Sequence, residues 1–166
     1  MRVLIVGMDG FIGSRLFAWM SAGVGMEVFG TSRRGNGIGL DLLNLEPVLE
    51  YIPSCDVVYL CAGMSRFIDC ESQPEAYRVN VDAQIAIARC WPWKVVFLSS
   101  DAVERALHTN YGMQKALCEM GLRAVCYPVI VRLAKVTHEN IGSACEFLAN
   151  AANFKHGIYR WPERLK

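Results

Sequence analysis

The chain has 166 residues, of which 53% are hydrophobic and 20% charged, and its formal net charge is +1. This composition excludes a disordered chain and predicts one compact domain over residues 1–166. The near-neutral charge gives no electrostatic argument for nucleic acid or an anionic membrane as a partner. No apolar run reaches the roughly 18 residues of a membrane span, and residues 1–6 resemble a strand rather than a signal peptide.

The seven cysteines are an odd number and form no C-x-x-C pair. Five of them lie in apolar stretches, namely Cys61, Cys90, Cys118, Cys126 and Cys145. We interpret these as reduced core thiols of a cytoplasmic protein rather than as a disulfide framework or a zinc site. We therefore expect no metal.

The first element that predicts a function is a glycine turn between a strand and a helix. The strand is Arg2–Val6, and Leu16, Trp19 and Met20 recur at helical spacing after the turn. The turn between them is Gly7, Met8, Asp9, Gly10, Phe11, Ile12 and Gly13. Backbone N–H groups and the helix dipole make such a turn an anion site.

Each glycine of this turn has a predicted role. Gly7 permits the tight turn, Gly10 lets a pyrophosphate approach the backbone, and Gly13 lets the helix pack on the strand. The spacing is G-x-x-G-x-x-G rather than the G-x-G-x-x-G of the dehydrogenase fingerprint. Because glycine turns without a function are common, the placement between strand and helix carries this interpretation.

A second strand, Met26–Thr31, ends at Ser32, Arg33 and Arg34. In a nucleotide-binding βαβ unit this end meets the adenosine ribose, where an acid binds the 2′-hydroxyl of NAD and arginine accommodates the 2′-phosphate of NADP. The alternative is a solvated loop that carries two cations. Next to the glycine turn, the sequence favours NADP(H), with NAD(H) as the second possibility.

The remaining elements alternate between strands and helices, which predicts a parallel sheet that binds ligands at its carboxyl edge. A buried strand ends in the small residues Ala62 and Gly63, which let a cofactor lie close. The predicted strands are Ile38–Leu42, Asp56–Gly63, Lys94–Ser100, Arg123–Leu133 and Gly157–Trp161, and the predicted helices are Leu45–Ile52, Glu75–Cys90, one that Asn110 caps, and Asn140–Asn153. Pro128 inside the sixth strand suggests an edge or a bulge. Met64–Gln73 and Asp101–Thr109 are predicted loops.

Ser99, Ser100, Tyr111 and Lys115 form the candidate catalytic constellation. Tyr111 and Lys115 lie four residues apart, on one helix face that Glu119 extends. Carbonyl reduction by a nicotinamide needs a proton donor, and a lysine ammonium nearby favours the phenolate that a tyrosine leaves behind. Such a pair also occurs by chance on many helices. Here the glycine turn and the two serines at a strand end favour the catalytic interpretation.

These motifs together resemble the short-chain dehydrogenase/reductase superfamily, in its extended or atypical branch. The resemblance covers about residues 1–136, and it is carried by the three glycines, Asp41-Leu42, Cys61-Ala62-Gly63, Ser99-Ser100-Asp101, Tyr111 and Lys115, and Arg132-Leu133-Ala134. Leu98-Ser99-Ser100-Asp101 and Arg132-Leu133-Ala134 look most like sugar-nucleotide reductases, such as the dTDP-4-dehydrorhamnose reductases, and their epimerase relatives. The resemblance implies a three-layer, doubly wound Rossmann-type α/β domain with six to seven strands.

The resemblance also implies roles for individual residues. It places Ser100, Tyr111 and Lys115 in the catalytic site and makes Asn80 a link between the lysine and water. It assigns the cofactor to the glycine turn including Phe11 and Ile12, to Ser32, Arg33 and Arg34, to Asp41 and Leu42, to Cys61, Ala62 and Gly63, and to Tyr111 and Lys115. Relatives pair the helices near 75–90 and 111 across a two-fold axis, which implies a homodimer.

Two departures from the relatives qualify this expectation. Only seven residues separate Val103 from Tyr111, and only residues 137–166 stand where extended members carry a sugar-nucleotide region. The chain thus resembles a minimal or C-terminally shortened member. We expect an NADP-dependent oxidoreductase that acts on a small carbonyl or alcohol substrate. The alternatives are a non-catalytic NADP-binding sensor or regulatory subunit, and a sugar-nucleotide epimerase or dehydratase.

Overall fold

The computed structural model describes residues 1–45, 51–91 and 93–162, and these residues form one seven-stranded sheet. The strands are β1 (Arg2–Val6), β2 (Glu27–Ser32), β3 (Ile38–Gly39), β4 (Val57–Leu60), β5 (Lys94–Ser100), β6 (Val129–Leu133) and β7 (Gly157–Trp161). Their order is β3-β2-β1-β4-β5-β6-β7, and every neighbouring pair is parallel. The order in which strands are added to the sheet reverses between β1 and β4, so the predicted doubly wound Rossmann-type α/β fold is confirmed.

Seven α-helices connect the strands of the described part. They are α1 (Phe11–Ser21), α2 (Phe67–Ser72), α3 (Glu75–Tyr77), α4 (Ala83–Cys90), α5 (Ala102–Arg105), α6 (Asn110–Val125) and α7 (Ile141–Asn150). A π-helical turn at Arg78–Asp82 joins α3 to α4, and a 3-10 turn at Ala151–Asn153 follows α7. No helix within the described ranges is long and apolar enough to cross a membrane.

The helices cover both faces of the sheet because successive strand residues point to opposite sides. Val3 and Ile5 lie in the same buried cluster as Leu148 of α7, together with residues of α1. Leu4 lies in a second cluster with Leu122 of α6. One cluster lies on each face of the sheet, so the sheet between two helical layers forms the three predicted layers. Because both faces are buried, the strands are continuous apolar runs.

The predicted sixth strand, Arg123–Leu133, begins too early. Helix α6 continues to Val125, and β6 begins at Val129, directly after Pro128. The β-branched Val125 resembles a strand residue, but burial of Leu122 on the sheet keeps this segment helical. The edge or bulge inferred from Pro128 is also wrong, because β6 lies between β5 and β7.

Smaller differences concern caps and loops. Thr109, not Asn110, caps α6, and its side chain accepts a hydrogen bond from the Gly112 N–H. The two predicted loops contain the short helices α2 and α5, and the third strand ends at Gly39. The predicted helix Leu45–Ile52 includes residues 46–50, which lie outside the described residues. The closing strand Gly157–Trp161 is confirmed.

Candidate functional site

The glycine turn links β1 to α1 and is fastened to β2. The N–H groups of Gly7 and Met8 both donate to the Thr31 carbonyl, at 3.2 and 2.9 Å. Gly7 has φ of +86°, which disfavours any residue with a side chain. The turn therefore needs glycine here for its backbone conformation, as predicted.

The three glycines differ in what a side chain would meet. A Cβ on Gly13 would lie 2.1 Å from the Gly7 carbonyl oxygen, and one on Gly7 would lie 2.7 Å from Ala62. A Cβ on Gly10 would meet only the Gly7 oxygen, at 3.3 Å. Gly7 and Gly13 thus serve packing, whereas the space above Gly10 is open. This open cradle at the N-terminus of an eleven-residue helix fits a pyrophosphate.

A cleft of about 830 Å³ extends from this turn along the carboxyl ends of β1, β2 and β4. Most of the predicted cofactor residues line it together, namely Gly7, Gly10, Ser32, Arg33, Arg34, Asp41, Leu42, Cys61, Ala62 and Gly63. Phe11, Ile12 and Gly13 are not among its lining residues. The Phe11 ring packs instead against His138, with 4.9 Å between ring centroids, and Ile12 packs on the core.

The end of β2 carries two of the charges of the cleft. Arg33 and Arg34 are exposed and line it together with Asp9 of the glycine turn. The Ser32 hydroxyl donates to the Asp9 carboxylate at 3.1 Å and accepts from the Arg34 N–H at 3.0 Å. The two predicted cations thus lie near the Asp9 carboxylate, which no sequence motif indicates as part of this site.

The opposite wall of the cleft is the turn at residues 62–64. Asn80 holds this turn by two hydrogen bonds, accepting from the Met64 N–H at 2.7 Å and donating to the Met64 carbonyl at 2.9 Å. Gln84 donates to the Ala62 carbonyl at 3.2 Å. Both amides lie on or next to the π-helical turn, and π-turns often occur at functional sites. The spacing of residues 75–90 carries no signal for this turn.

Burial raises the pKa of the Cys61 thiol, and the neighbouring Cys145 adds to this shift. Cys61 is therefore a neutral thiol in the cleft wall rather than a nucleophile. The seven cysteines carry free thiols, but Cys90 is exposed, so the interpretation of all five apolar-stretch cysteines as core residues is wrong for that position.

Asn80 does not hydrogen-bond to Lys115 within the described residues. Its amide nitrogen donates to the Gln114 side chain at 2.7 Å, so it ties the cleft wall to α6. Its role as a water link to the lysine stays a prediction. Gln114 was not predicted, because a buried glutamine on a helix has no sequence signature.

Tyr111 and Lys115 lie on the face of α6 that meets the sheet. The Lys115 ammonium donates to the Leu98 carbonyl at 2.8 Å and lies 5.9 Å from the centre of the Tyr111 ring. The lysine is 8% exposed, so its charge is fixed in one place. The bond to Leu98 connects the Tyr–Lys helix with the strand that ends at Ser100.

Ser100 and Tyr111 retain polar groups that can meet a ligand. The Ser100 oxygen accepts from the Ala102 N–H at 3.2 Å, which leaves its own hydrogen available. The Tyr111 ring is half-buried, and Phe67 of α2 meets it edge-on with 5.3 Å between centroids. Neither Ser100, Tyr111 nor Lys115 is among the lining residues of the cleft.

A buried polar network next to Lys115 holds α6 on the sheet. Glu119 accepts from Ser99 at 2.6 Å and from two nitrogens of Arg132, at 3.0 and 2.6 Å. The hydrogen bonds that Arg132 donates to Glu119 raise the pKa of the Arg132 guanidinium. The sequence argument placed Glu119 on the catalytic face but did not find this partner, because the pairing joins α6 to β6 across the fold.

The family comparison agrees with this architecture. The model of the NAD dependent epimerase/dehydratase family matches residues 3–126, and the chain belongs to this family. The resemblance that the motifs indicated, to the extended short-chain dehydrogenase/reductases, is thereby confirmed.

A curated relative, the UDP-2-acetamido-2,6-beta-L-arabino-hexul-4-ose reductase of Pseudomonas aeruginosa, is 26% identical over 174 residues. The match covers 96% of this chain and 42% of that relative, so the chain spans less than half of its length.

Two solved structures share the fold. One is a dTDP-4-dehydrorhamnose reductase from Clostridium acetobutylicum, with a TM-score of 0.76 at 19% identity, covering 96% of this chain and 73% of that chain. The other is the Bordetella bronchiseptica enzyme WbmH in complex with NAD+, with a TM-score of 0.77 at 14% identity, covering 96% and 74%. At these identities the likeness concerns the fold alone.

Proposed function

We propose that the protein is an NADP-dependent oxidoreductase that reduces a carbonyl through Ser100, Tyr111 and Lys115. The observation that carries the proposal is the bond from Lys115 to the Leu98 carbonyl. It fixes the Tyr–Lys helix on the strand that ends in Ser100, at the edge of the sheet where the glycine cradle opens. Membership of the epimerase/dehydratase family supports the same conclusion.

The cleft residues would hold the cofactor. The N–H groups at the start of α1 would hold the pyrophosphate over Gly10, and Arg33 and Arg34 would hold the adenosine ribose. Asp41, Leu42 and the turn at 62–64, which line the same cleft, would hold the rest of the cofactor. When bound, a reduced nicotinamide supplies a hydride.

The remaining chemistry belongs to the chain. The Tyr111 hydroxyl gives its proton to the carbonyl oxygen of the substrate, and the Ser100 hydroxyl donates a hydrogen bond to the same oxygen. The Lys115 ammonium lowers the cost of the resulting phenolate because its positive charge lies over the Tyr111 ring, 5.9 Å from the ring centre. A proton from water then restores Tyr111.

The names of the relatives favour a keto group on a nucleotide-linked sugar as the substrate class. A small carbonyl compound is the alternative. Substrate specificity, for a nucleotide-linked sugar or for a small carbonyl compound, is part of this proposal.

The second candidate function is an NADP-binding sensor. It is favoured by the separation of the cleft from Ser100, Tyr111 and Lys115, which do not line it. A third candidate, a sugar-nucleotide epimerase or dehydratase that retains its cofactor, follows from the family's breadth. Unlike a reductase, an epimerase turns over substrate without net consumption of NADPH.

One experiment separates these candidates. NADPH oxidation is followed by absorbance with nucleotide-linked 4-keto sugars and small carbonyl compounds, and the sugar products are analysed in parallel. Stoichiometric NADPH loss and alcohol formation support the reductase. Binding without turnover supports the sensor, and isomerised or dehydrated sugar without NADPH loss supports the third candidate.

We also propose that the protein is a cytoplasmic homodimer. Its seven free thiols fit a reducing compartment. Met113, Leu117 and Met120 of α6 are 46%, 36% and 67% exposed, and their spacing of four and three places them on one stripe. A second copy that packs its own α6 against this stripe would cover the apolar surface.

A further inference from the structure

Asp9 lies in the glycine turn but faces the end of β2. That end is Ser32, Arg33 and Arg34, and it lacks the acidic residue that binds a ribose 2′-hydroxyl in NAD-binding folds. Asp9 lines the cleft with all three of these residues. The carboxylate missing from the strand end is thus present in the same place, supplied by a different segment.

The Ser32 hydroxyl connects the two segments and has no hydrogen left for a ligand. It is 2% exposed, accepts from the Arg34 N–H at 3.0 Å and donates to the Asp9 carboxylate at 3.1 Å. A hydroxyl has a single hydrogen, and here Asp9 receives it. A phosphate has only acceptor oxygens, so it could receive the Ser32 hydrogen only by displacing the Asp9 carboxylate from it.

The second effect of Asp9 is its charge. No arginine or lysine pairs with Asp9 within 4.0 Å among the described residues, and the side chain is exposed to the cleft. A 2′-phosphate at the end of β2 would meet this unneutralised carboxylate and be repelled. A free ribose 2′-hydroxyl would instead donate a charge-assisted hydrogen bond to it.

We propose that Asp9 is a specificity-determining residue that favours a free ribose 2′-hydroxyl and opposes a 2′-phosphate. The preference for NADP(H) over NAD(H) then depends on two opposing effects. Arg33 and Arg34 favour the 2′-phosphate, and Asp9 disfavours it. This inference rests on the proposed cofactor site but not on any catalytic step.

The test is calorimetric titration of the parent protein and three variants. The ligands are NADPH, NADH, and the fragments adenosine 2′,5′-bisphosphate and adenosine 5′-monophosphate, which differ in the 2′-phosphate alone. Asp9→Asn and Asp9→Ser remove the charge with different hydrogen-bonding groups. Asp82→Asn makes the same charge change at an exposed position that does not line the cleft.

For both Asp9 variants we expect the affinity ratio of the 2′-phosphorylated to the 2′-hydroxyl ligand to rise about tenfold, the scale of one charge-assisted hydrogen bond. Asp82→Asn should leave the ratio unchanged. A ratio that stays within twofold in both Asp9 variants would overturn the inference, while normal NADPH binding would leave the proposed function standing. A parent protein that binds none of the four ligands would overturn both.

Discussion

The two halves of the sheet's carboxyl edge are built in opposite ways. On the β1–β2–β4 side, Asp9, Arg33 and Arg34 are exposed and face an open cleft. On the β5–β6 side, Lys115 and Glu119 are 8% and 4% exposed and bind atoms of the protein itself.

This difference indicates where a ligand changes the energetics. The exposed polar side chains of the open half would find their partners in a bound ligand, so substitutions there should alter affinity and leave the fold intact. In the closed half, Lys115 and Glu119 already have hydrogen-bond partners within the protein, and these bonds fix the helix of Tyr111 and the strand of Ser100 relative to each other without a ligand. Substitutions there should alter either turnover or stability, according to whether the group meets the substrate.

The largest expected effect is on turnover. Tyr111→Phe keeps the ring and its contact with Phe67 but removes the proton donor, so carbonyl reduction should fall by roughly 10²–10⁴-fold. NADPH affinity should change little, and single-turnover absorbance with titration measures both. Tyr127→Phe, at an 83% exposed position, is the matched control. Equal rates for the two variants would reduce Tyr111 to a packing residue.

The next effect is on stability. Glu119→Ala removes the buried partner of the Arg132 guanidinium, which is 14% exposed and still pairs with Glu104 at 2.6 Å, and should lower the free energy of unfolding by about 1.5–3 kcal/mol. Glu27→Ala breaks the exposed pair with Arg2 and should cost about 1 kcal/mol or less. Denaturant unfolding measures both. A similar small loss in each variant would show that the network near Lys115 does not hold α6.

Cofactor preference should change by a smaller factor. If Arg33 and Arg34 meet the 2′-phosphate, as proposed, NADPH should bind about tenfold more tightly than NADH, and the double variant Arg33→Gln/Arg34→Gln should lose that preference. Arg66→Gln removes a cation from the same cleft and should keep the ratio. Equal affinity of the parent for both cofactors would refute the assignment.

The smallest effect concerns assembly and leaves the site unchanged. Leu117→Glu places a charge on the apolar stripe of α6 and should convert the proposed dimer to a monomer in light scattering. Val24→Glu, at a fully exposed position, should not. If the parent has a monomer mass at every concentration, the stripe has another purpose.

Local chemistry explains why the open half could be predicted from sequence. Gly7 and Gly13 occupy positions where sterics restrict the residue type, so their spacing carries the geometry. Tyr111 and Lys115 are likewise four residues apart on one helix, and they share a face by helical periodicity alone.

The features that the sequence did not predict depend on contacts between distant segments, or on local alternatives of similar energy. The pairing of Glu119 with Arg132 joins a helix to a strand, and no pattern in either segment requires it. The π-helical turn that carries Asn80 adds one residue to a helical turn without changing the apolar spacing visibly. Thr109 and Asn110 are both good caps, and only the packed structure selects between them.

The central claim is that the glycine cradle binds the pyrophosphate of a nicotinamide cofactor, and titration of Gly10→Val with NADPH tests it most directly. The Cβ of the added side chain makes one tight contact, 3.3 Å from the Gly7 oxygen, which a shift of a few tenths of an ångström relieves, and the rest of the side chain would occupy the place of the pyrophosphate. Gly142→Val, where a Cβ meets nothing within 4 Å, is the control. The account predicts that Gly10→Val melts near the parent temperature and loses NADPH binding, while Gly142→Val binds normally. Normal NADPH affinity in a folded Gly10→Val protein would contradict it.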